Sequence, residues 1–276
     1  MTLRGGVLFQ PFFPASSFQL RAEDSTANTP NEISGNQDRM ADKVIGILGG
    51  MGPEATLGFF ERIIAHTPAT RDQEHLRVII DSNPHVPDRT AAILLGGESP
   101  VPLMVAGMEA LQRAGADFVV IPCVSAHFFL EELRRRVSLP VISMFDVTAE
   151  HIRRDHPRIK TVGLLGTTGT LAGGHFQARL AQDRIETVAP GSDDQGRVMA
   201  AIYDIKDVRA ARSRSEIAND LRAVAGRLAA AGAQGIVLGC TEIPLVLKSG
   251  DLDVPVFDTL TLLARAAIVA AGRTPL

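Results

Sequence analysis

The sequence has no tryptophan and a single tyrosine in 276 residues. A surface that stacks nucleic-acid bases is therefore not expected. Positive charge is not in excess either. The formal net charge of −3 gives no general pull toward nucleic acid or an acidic membrane. No apolar run reaches the length of a membrane span. Lysine is scarce, occurring only at Lys43, Lys160, Lys206 and Lys248. Cysteine occurs twice with no CxxC spacing, which argues against a structural zinc site or a disulfide scaffold. Two such cysteines are ordinarily small buried apolar residues. Their placement argues otherwise here.

Ala114 to His127 reads AGADFVVIPCVSAH, and Ala231 to Pro244 reads AGAQGIVLGCTEIP. Laid together without a gap, Cys123 meets Cys240 at an offset of 117 residues. The same offset relates Gly46 of KVIGILGG to Gly163 of KTVGLLGT. Downstream, LPVI at 139–142 is answered by VPVF at 254–257. This is an internal duplication with one cysteine at the same place in each half, and a repeat speaks for the whole fold.

Residues 1–42 stand apart. MTLRGGVLFQPFFPASSFQL and the polar stretch after it lack the layout of a secretory signal. They are expected to be a disordered extension, or translation from upstream of a start at Met40. From Lys43 onward strands and helices alternate. KVIGILGG, LRVIIDS, DFVVIP and LPVISM read as strands of the first half, with NPHVPDRT as a loop and a helix over about 100–114. SAHFFLEELRRRV reads as a helix capped by Ser125. The second half repeats the plan with TVGLLG, RIETVAP, GIVLGC and VPVFD, a long helical region over about 193–231 broken near Asp207, and a closing helix, TLLARAAIVAAG. Buried apolar strands alternating with helices predict an α/β fold of two pseudo-symmetric parallel-sheet domains. The site is expected in the cleft at the carboxyl ends of the strands. Both cysteines fall at such ends, each just before an expected helix whose positive end lowers a thiol pKa. GILGGMGP lacks the spacing of a dinucleotide-binding turn.

GGMGP (49–53), DQEH (72–75), PDRT (87–90), the two cysteine motifs and IYDIK (202–206) together resemble the aspartate/glutamate racemase family, and its aspartate racemase branch most. The resemblance runs from about Lys43 to the C-terminus. It implies two α/β domains, racemisation without pyridoxal phosphate or any other cofactor, and a homodimer. It also implies a last helix that packs back on the first domain, giving domain 1 as 43–145 plus 258–276 and domain 2 as 146–257. One departure stands out. The family's usual C-N-T-A-H is here Cys123-Val124-Ser125-Ala126-His127, and Val124 has no amide to offer a substrate carboxylate.

Inverting a Cα centre without a cofactor needs one acid/base group on each face of the substrate. A duplicated domain with Cys123 and Cys240 at equivalent positions supplies that pair. Thiols suit it because modest changes of surroundings move them between thiol and thiolate near neutral pH. Backbone N–H groups after each cysteine, with the hydroxyls of Ser125 and Thr241, are candidate donors to the α-carboxylate. By the resemblance, Arg89 anchors a side-chain carboxylate, the alternative being a plain surface charge. Lys206 binds substrate or is a solvated helix-end lysine. Met51 covers the substrate or fills the glycine turn, and Thr167 caps a helix or touches ligand. His127 and Glu242 either tune a thiol or make a structural hydrogen bond within the turn. The expected activity is racemisation of an acidic amino acid, aspartate before glutamate, by a cytoplasmic enzyme with no nucleic-acid, membrane or metal partner. The rivals are another two-cysteine activity, maleate isomerisation or hydantoin racemisation, and a silent amino-acid-binding protein.

Overall fold

The computed structural model describes residues 42–276, so the extension expected over 1–42 lies, except for Asp42, outside the described residues. The described chain forms two parallel sheets. Strands β1 (Ile45–Gly49), β2 (Val78–Ser82) and β3 (Phe118–Val120) pair in the order β2-β1-β3. Strands β4 (Thr161–Gly166), β5 (Glu186–Val188), β6 (Ile236–Gly239) and β7 (Val256–Asp258) pair in the order β5-β4-β6-β7.

The duplication reaches down to hydrogen-bond register. Gly46 of β1 lies opposite Val119 of β3, and Gly163 of β4 lies opposite Ile236 of β6. Both pairs obey the offset read from the sequence. Each glycine lets a neighbouring residue approach its strand closely. A Cβ on Gly46 would stand 2.9 Å from Ala116 Cβ, and one on Gly163 would stand 2.7 Å from Ile236 Cδ1. The residues that open β3 and β6 are clasped alike. Asp117 N–H donates to Val44 O at 2.9 Å while Val44 N–H donates to Asp117 Oδ2 at 2.6 Å. At the equivalent place Gln234 N–H donates to Thr161 O at 2.8 Å, and Thr161 N–H to Gln234 Oε1 at 3.3 Å.

Ten α-helices are described. In the first half α1 (Pro53–His66) carries proline at its first position. It is followed by α2 (Arg89–Leu94), α3 (Val101–Arg113) and α4 (Leu130–Arg136). Then come α5 (Met144–Asp155), α6 (Thr168–Gly173), α7 (His175–Gln182), α8 (Ser192–Lys206), α9 (Arg214–Ala230) and α10 (Thr259–Ala270). The break expected near Asp207 separates α8 from α9. Helix α10 buries Leu260, Leu263, Ala264, Ala267 and Ile268, a stripe at helical spacing. Each such leucine or isoleucine contributes about 1.5–3 kcal/mol when fully buried. That stripe belongs to a core shared by both sheets, with Ile45 and Val120 from one and Leu164 and Val237 from the other. Two further clusters are private to each half. One contains Cys123 with Leu48 and Ile121, the other Cys240 with Leu165 and Leu238.

Four local expectations are corrected. LPVISM is not a strand but touches β3 through a single bridge, Val119–Val141. Pro140 has no N–H to extend the pairing, and Ser143 then caps α5 by accepting from Asp146 N–H at 3.2 Å. The loop NPHVPDRT ends inside a helix, because Asp88 caps α2 by accepting from Ala91 N–H at 2.7 Å. Ser125 does not cap: Ser125–Phe129 is a 3-10 turn without a side-chain cap, and α4 begins only at Leu130. The chain after Cys240 is likewise a 3-10 turn, Ile243–Leu245. Neither thiol therefore faces a full helix dipole.

Candidate active site

Strands β3 and β6 are short and buried, and the chain leaves each at its carboxyl end to place a cysteine in the following turn. Cys123 and Cys240 are free thiols, 4 % and 5 % exposed. The surroundings of the two sulfurs differ. Cys123 Sγ lies 3.5 Å from Ser125 Oγ. Cys240 Sγ donates to Glu242 Oε2 at 3.0 Å. Ser125 and Glu242 hold equivalent positions in the repeat, as do Val124 and Thr241.

Glu242 is buried, and it is a meeting point of the two halves. Thr241 Oγ1 donates to its Oε2 at 3.3 Å. Gly52 N–H, from the glycine turn of the first half, donates to its Oε1 at 3.2 Å. Lys206 Nζ, at the last position of α8, lies 3.6 Å from the same oxygen. Burial pushes the Cys240 thiol up, the Glu242 carboxylate pushes further, and Lys206 offsets part of this, leaving the pKa well above the ordinary thiol value. Burial pulls the Lys206 ammonium down, but Glu242 and then the sulfurs of Cys240 and Cys123 outweigh it, so its pKa is raised. Both sulfurs are thus within electrostatic reach of one lysine.

His127 plays a different part. Met144 N–H donates to its Nε2 at 3.1 Å, so Nδ1 carries the proton and donates to Cys123 O at 2.8 Å. Burial lowers its pKa to about 4. A neutral ring thus clips the cysteine turn to the start of α5.

Arg89, the first residue of α2, is 8 % exposed and is no surface charge. Its NH1 donates to Val86 O at 3.1 Å and Pro87 O at 3.0 Å, and its NH2 to Met51 O at 3.2 Å. Among the described residues its buried Nε has no hydrogen-bond partner. The turn that Arg89 holds requires glycine. Gly50 has φ +89°, and a Cβ there would stand 2.4 Å from Asn83 backbone. The Met51–Gly52 peptide is cis.

These parts enclose a cleft of about 390 Å³ lined by Gly50, Gly52, Glu54, Arg89, Lys206 and Glu242, with Pro53, Pro84, Val86, Asp88, Ile205 and Val208. Glu54 of α1 also takes both its oxygens to Arg214 of α9 at 2.7 Å, joining the two halves beside the cleft. Among the described residues, no group of three His, Cys, Asp or Glu side chains is arranged to hold a metal ion. No described helix is long and apolar enough to cross a membrane.

A family model described as Asp/Glu/Hydantoin racemase matches residues 48–267. The chain belongs to that family. Among solved structures this racemase-family chain is similar to the Picrophilus torridus aspartate racemase. The two are 31 % identical with a TM-score of 0.76, over 85 % of this chain and 96 % of the other. It is also 26 % identical to the broad specificity amino-acid racemase RacX of Bacillus subtilis, over 82 % of this chain and 96 % of that protein. A glutamate racemase of Deinococcus radiodurans is 34 % identical over 164 residues, covering 58 % of this chain and 53 % of the relative.

Of the residues singled out from the sequence only some line the cleft, and Cys123, Cys240 and Thr241 are not among its lining. Arg89 and Lys206 meet in the cleft, with Glu242 between the lysine and Cys240. Met51 and Val124 are 2 % exposed: the first packs in the core of its own half and the second in the shared core. Thr167 caps α6, accepting from Thr170 N–H at 3.1 Å, and Ser125 and Val124 face Gly169 and Thr170 in a crevice of only about 10 Å³. Glu242, weighed from the sequence as a thiol tuner or a turn residue through its place after a duplicated cysteine, does accept from Cys240 Sγ. Its contact with Gly52 is what sequence reasoning left out, because the two lie 190 positions apart.

Proposed function

We propose that the protein racemises an acidic amino acid, aspartate before glutamate, by 1,1-proton transfer between Cys123 and Cys240 and without pyridoxal phosphate. One sulfur, as thiolate, takes the Cα proton. The C–H electron pair passes to Cα and into the α-carboxylate, and the other thiol delivers its proton to the opposite face. Roles exchange with the direction of reaction. The observation that carries this reading is the placement of the only two cysteines at equivalent strand ends, with Lys206 Nζ 3.6 Å from the Glu242 carboxylate that accepts from Cys240. Proton transfer by positioned groups supplies about 10²–10⁴-fold in rate. Stabilisation of the carbanion by fixed positive charge supplies a comparable share.

Lys206 and Arg89 are the two cations on the cleft wall, the number that a dicarboxylate calls for. We assign them to the substrate's carboxylates, with the backbone N–H groups after each cysteine as further donors and Thr241 steadying Glu242. We assign Ser125, Met51, Val124 and Thr167 supporting places outside the cleft wall, since none of the four lines it. We draw the two lobes at 43–145 plus 258–276 and at 146–257, and expect a cytoplasmic homodimer.

The test is proton NMR in deuterium oxide with pure enantiomers of aspartate, glutamate and a panel of neutral amino acids. Loss of the α-hydrogen with appearance of the mirror-image product from aspartate or glutamate is expected. Binding of aspartate with no exchange from any member of the panel would overturn the reading.

A further inference from the structure

The repeat builds the turn after each cysteine on one plan, but the second residue of that turn is Ser125 in one half and Glu242 in the other. The difference changes what each sulfur can be. A serine hydroxyl can donate to a thiolate or accept from a thiol. A carboxylate can only accept. The 3.0 Å contact from Cys240 Sγ to Glu242 Oε2 is therefore a hydrogen bond only while Cys240 carries its proton. Removing that proton sets two anions side by side in a buried place. Glu242 cannot turn away, because Gly52 N–H, Thr241 Oγ1 and Lys206 Nζ hold it at 3.2, 3.3 and 3.6 Å.

Building on the two-thiol reading above, we propose that Glu242 is a positioning residue that keeps Cys240 the proton-bearing thiol of the empty site and leaves Cys123 as the resting base. In the first turnover Cys123 thiolate takes the Cα proton, and the Cys240 S–H bond breaks to protonate the opposite face. This leaves a Cys240 thiolate beside Glu242, and the Lys206 ammonium offsets that charge. The charged groups facing Cys240 are Glu242 on its own turn and Lys206 from α8, while Lys206 in turn faces Cys123 and Arg89 of the first half. The direction of the Cys240 pKa, pushed up by burial and Glu242, agrees with the geometry. Enantiomers are equal in energy, so kcat/KM is the same for both at every pH. The built-in asymmetry shows in kcat and KM taken separately.

Ultraviolet titration of thiolate absorbance tests this without substrate. In a Cys123→Ser background that also carries Tyr203→Phe, only Cys240 contributes to that absorbance, and its midpoint is expected well above the ordinary thiol value of about 8.5. Adding Glu242→Gln, or Glu242→Ser to copy the first half, should lower the midpoint by about one unit or more, a tenfold rise in thiolate at a given pH. Glu242→Asp keeps the charge and should hold the midpoint close to that of the parent. With both cysteines present, Glu242→Gln should move the alkaline limb of kcat/KM down for both enantiomers, which a loss of stability alone would not do. An unmoved midpoint in the Gln and Ser variants, or an equal drop in the Asp variant, would overturn the proposal. The titration involves no turnover, so it can fail while α-hydrogen exchange holds, and the reverse.

Discussion

Beside Cys123 the chain sets Val124 and Ser125, one in the shared core and one a neutral hydroxyl. Beside Cys240 it sets Thr241 and Glu242, a hydroxyl that donates to a carboxylate and a carboxylate that holds the thiol proton. The backbone plan is common, down to strand register. What differs is polarity within two residues of each sulfur. Acid and base chemistry on one fold is commonly divided in this way, by placing like groups in unlike surroundings. A duplication supplies two similar thiols, and two substitutions suffice to make them unequal.

The largest expected effect comes from breaking the pair. Cys123→Ser and Cys240→Ser should each lower racemisation by about 10³-fold or more, since each removes the acid/base group on one face. With a substrate analogue carrying a leaving group on Cβ, proton removal leads to elimination and needs no second base. The two variants should then eliminate from opposite enantiomers, and the comparison predicts more. Cys240→Ser, which keeps the thiol that has no carboxylate partner, should be the faster of the two near neutral pH. Equal rates would show that the surroundings do not distinguish them, and a shared enantiomer that they do not divide the faces.

A second contrast lies two residues further on, where His127 in the first half is matched by Pro244 in the second. His127 is held neutral with its pKa lowered from 6.5 to about 4. The unfolded chain therefore binds a proton that the folded chain refuses. The stability from neutral His127 is complete above pH 6.5 and is lost as pH falls toward 4, by about 3 kcal/mol at most. Urea unfolding at several pH values should show this slope, and His127→Asn should flatten it. A slope unchanged in the variant would assign the acid sensitivity elsewhere.

The smallest effect separates the two close-approach glycines. A Cβ at Gly46 meets Ala116 Cβ, which cannot turn aside, whereas one at Gly163 meets the end of the Ile236 side chain first. Gly46→Ala should cost about 1–3 kcal/mol and Gly163→Ala about 1 kcal/mol, within the range for overpacked cores. Thermal melts of the two variants rank them directly. The reverse order would mean that the first half yields more readily than the second.

The sequence showed the duplication because its matching residues do work that only they can do. Gly46 and Gly163 admit close neighbours, and the cysteines follow equivalent strands. Strands buried on both faces are near-continuous apolar runs, so most were legible, and Pro140 misled only where it broke pairing. What stayed hidden depends on distant partners. Arg89 reads as a loop arginine until Met51 O and Val86 O are brought to it. Glu242 reads as a thiol tuner or a turn residue, and what holds it in place stays hidden until Gly52 and Lys206 arrive. The short helix at Arg89 and the 3-10 turns after each cysteine involve too few residues for any periodicity to declare itself.

The packing of α10 has a consequence for chain order. Lys43 N–H donates to Ala271 O at 3.0 Å, and Arg273 grips Asp42 through two bonds of 2.8 and 2.6 Å. The described chain thus returns to its own starting point, and its path is nearly a closed ring. Joining those ends and opening the exposed turn at Pro157–Arg158, between α5 and β4, would give a circular permutant in which the second half is made first and α10 stands between the halves it braces. Exposed turns and adjacent ends are the conditions under which such rearrangements are tolerated. The order in which the two cysteines are synthesised is then incidental to the fold, whereas the placement of α10 in the core that both sheets share is not.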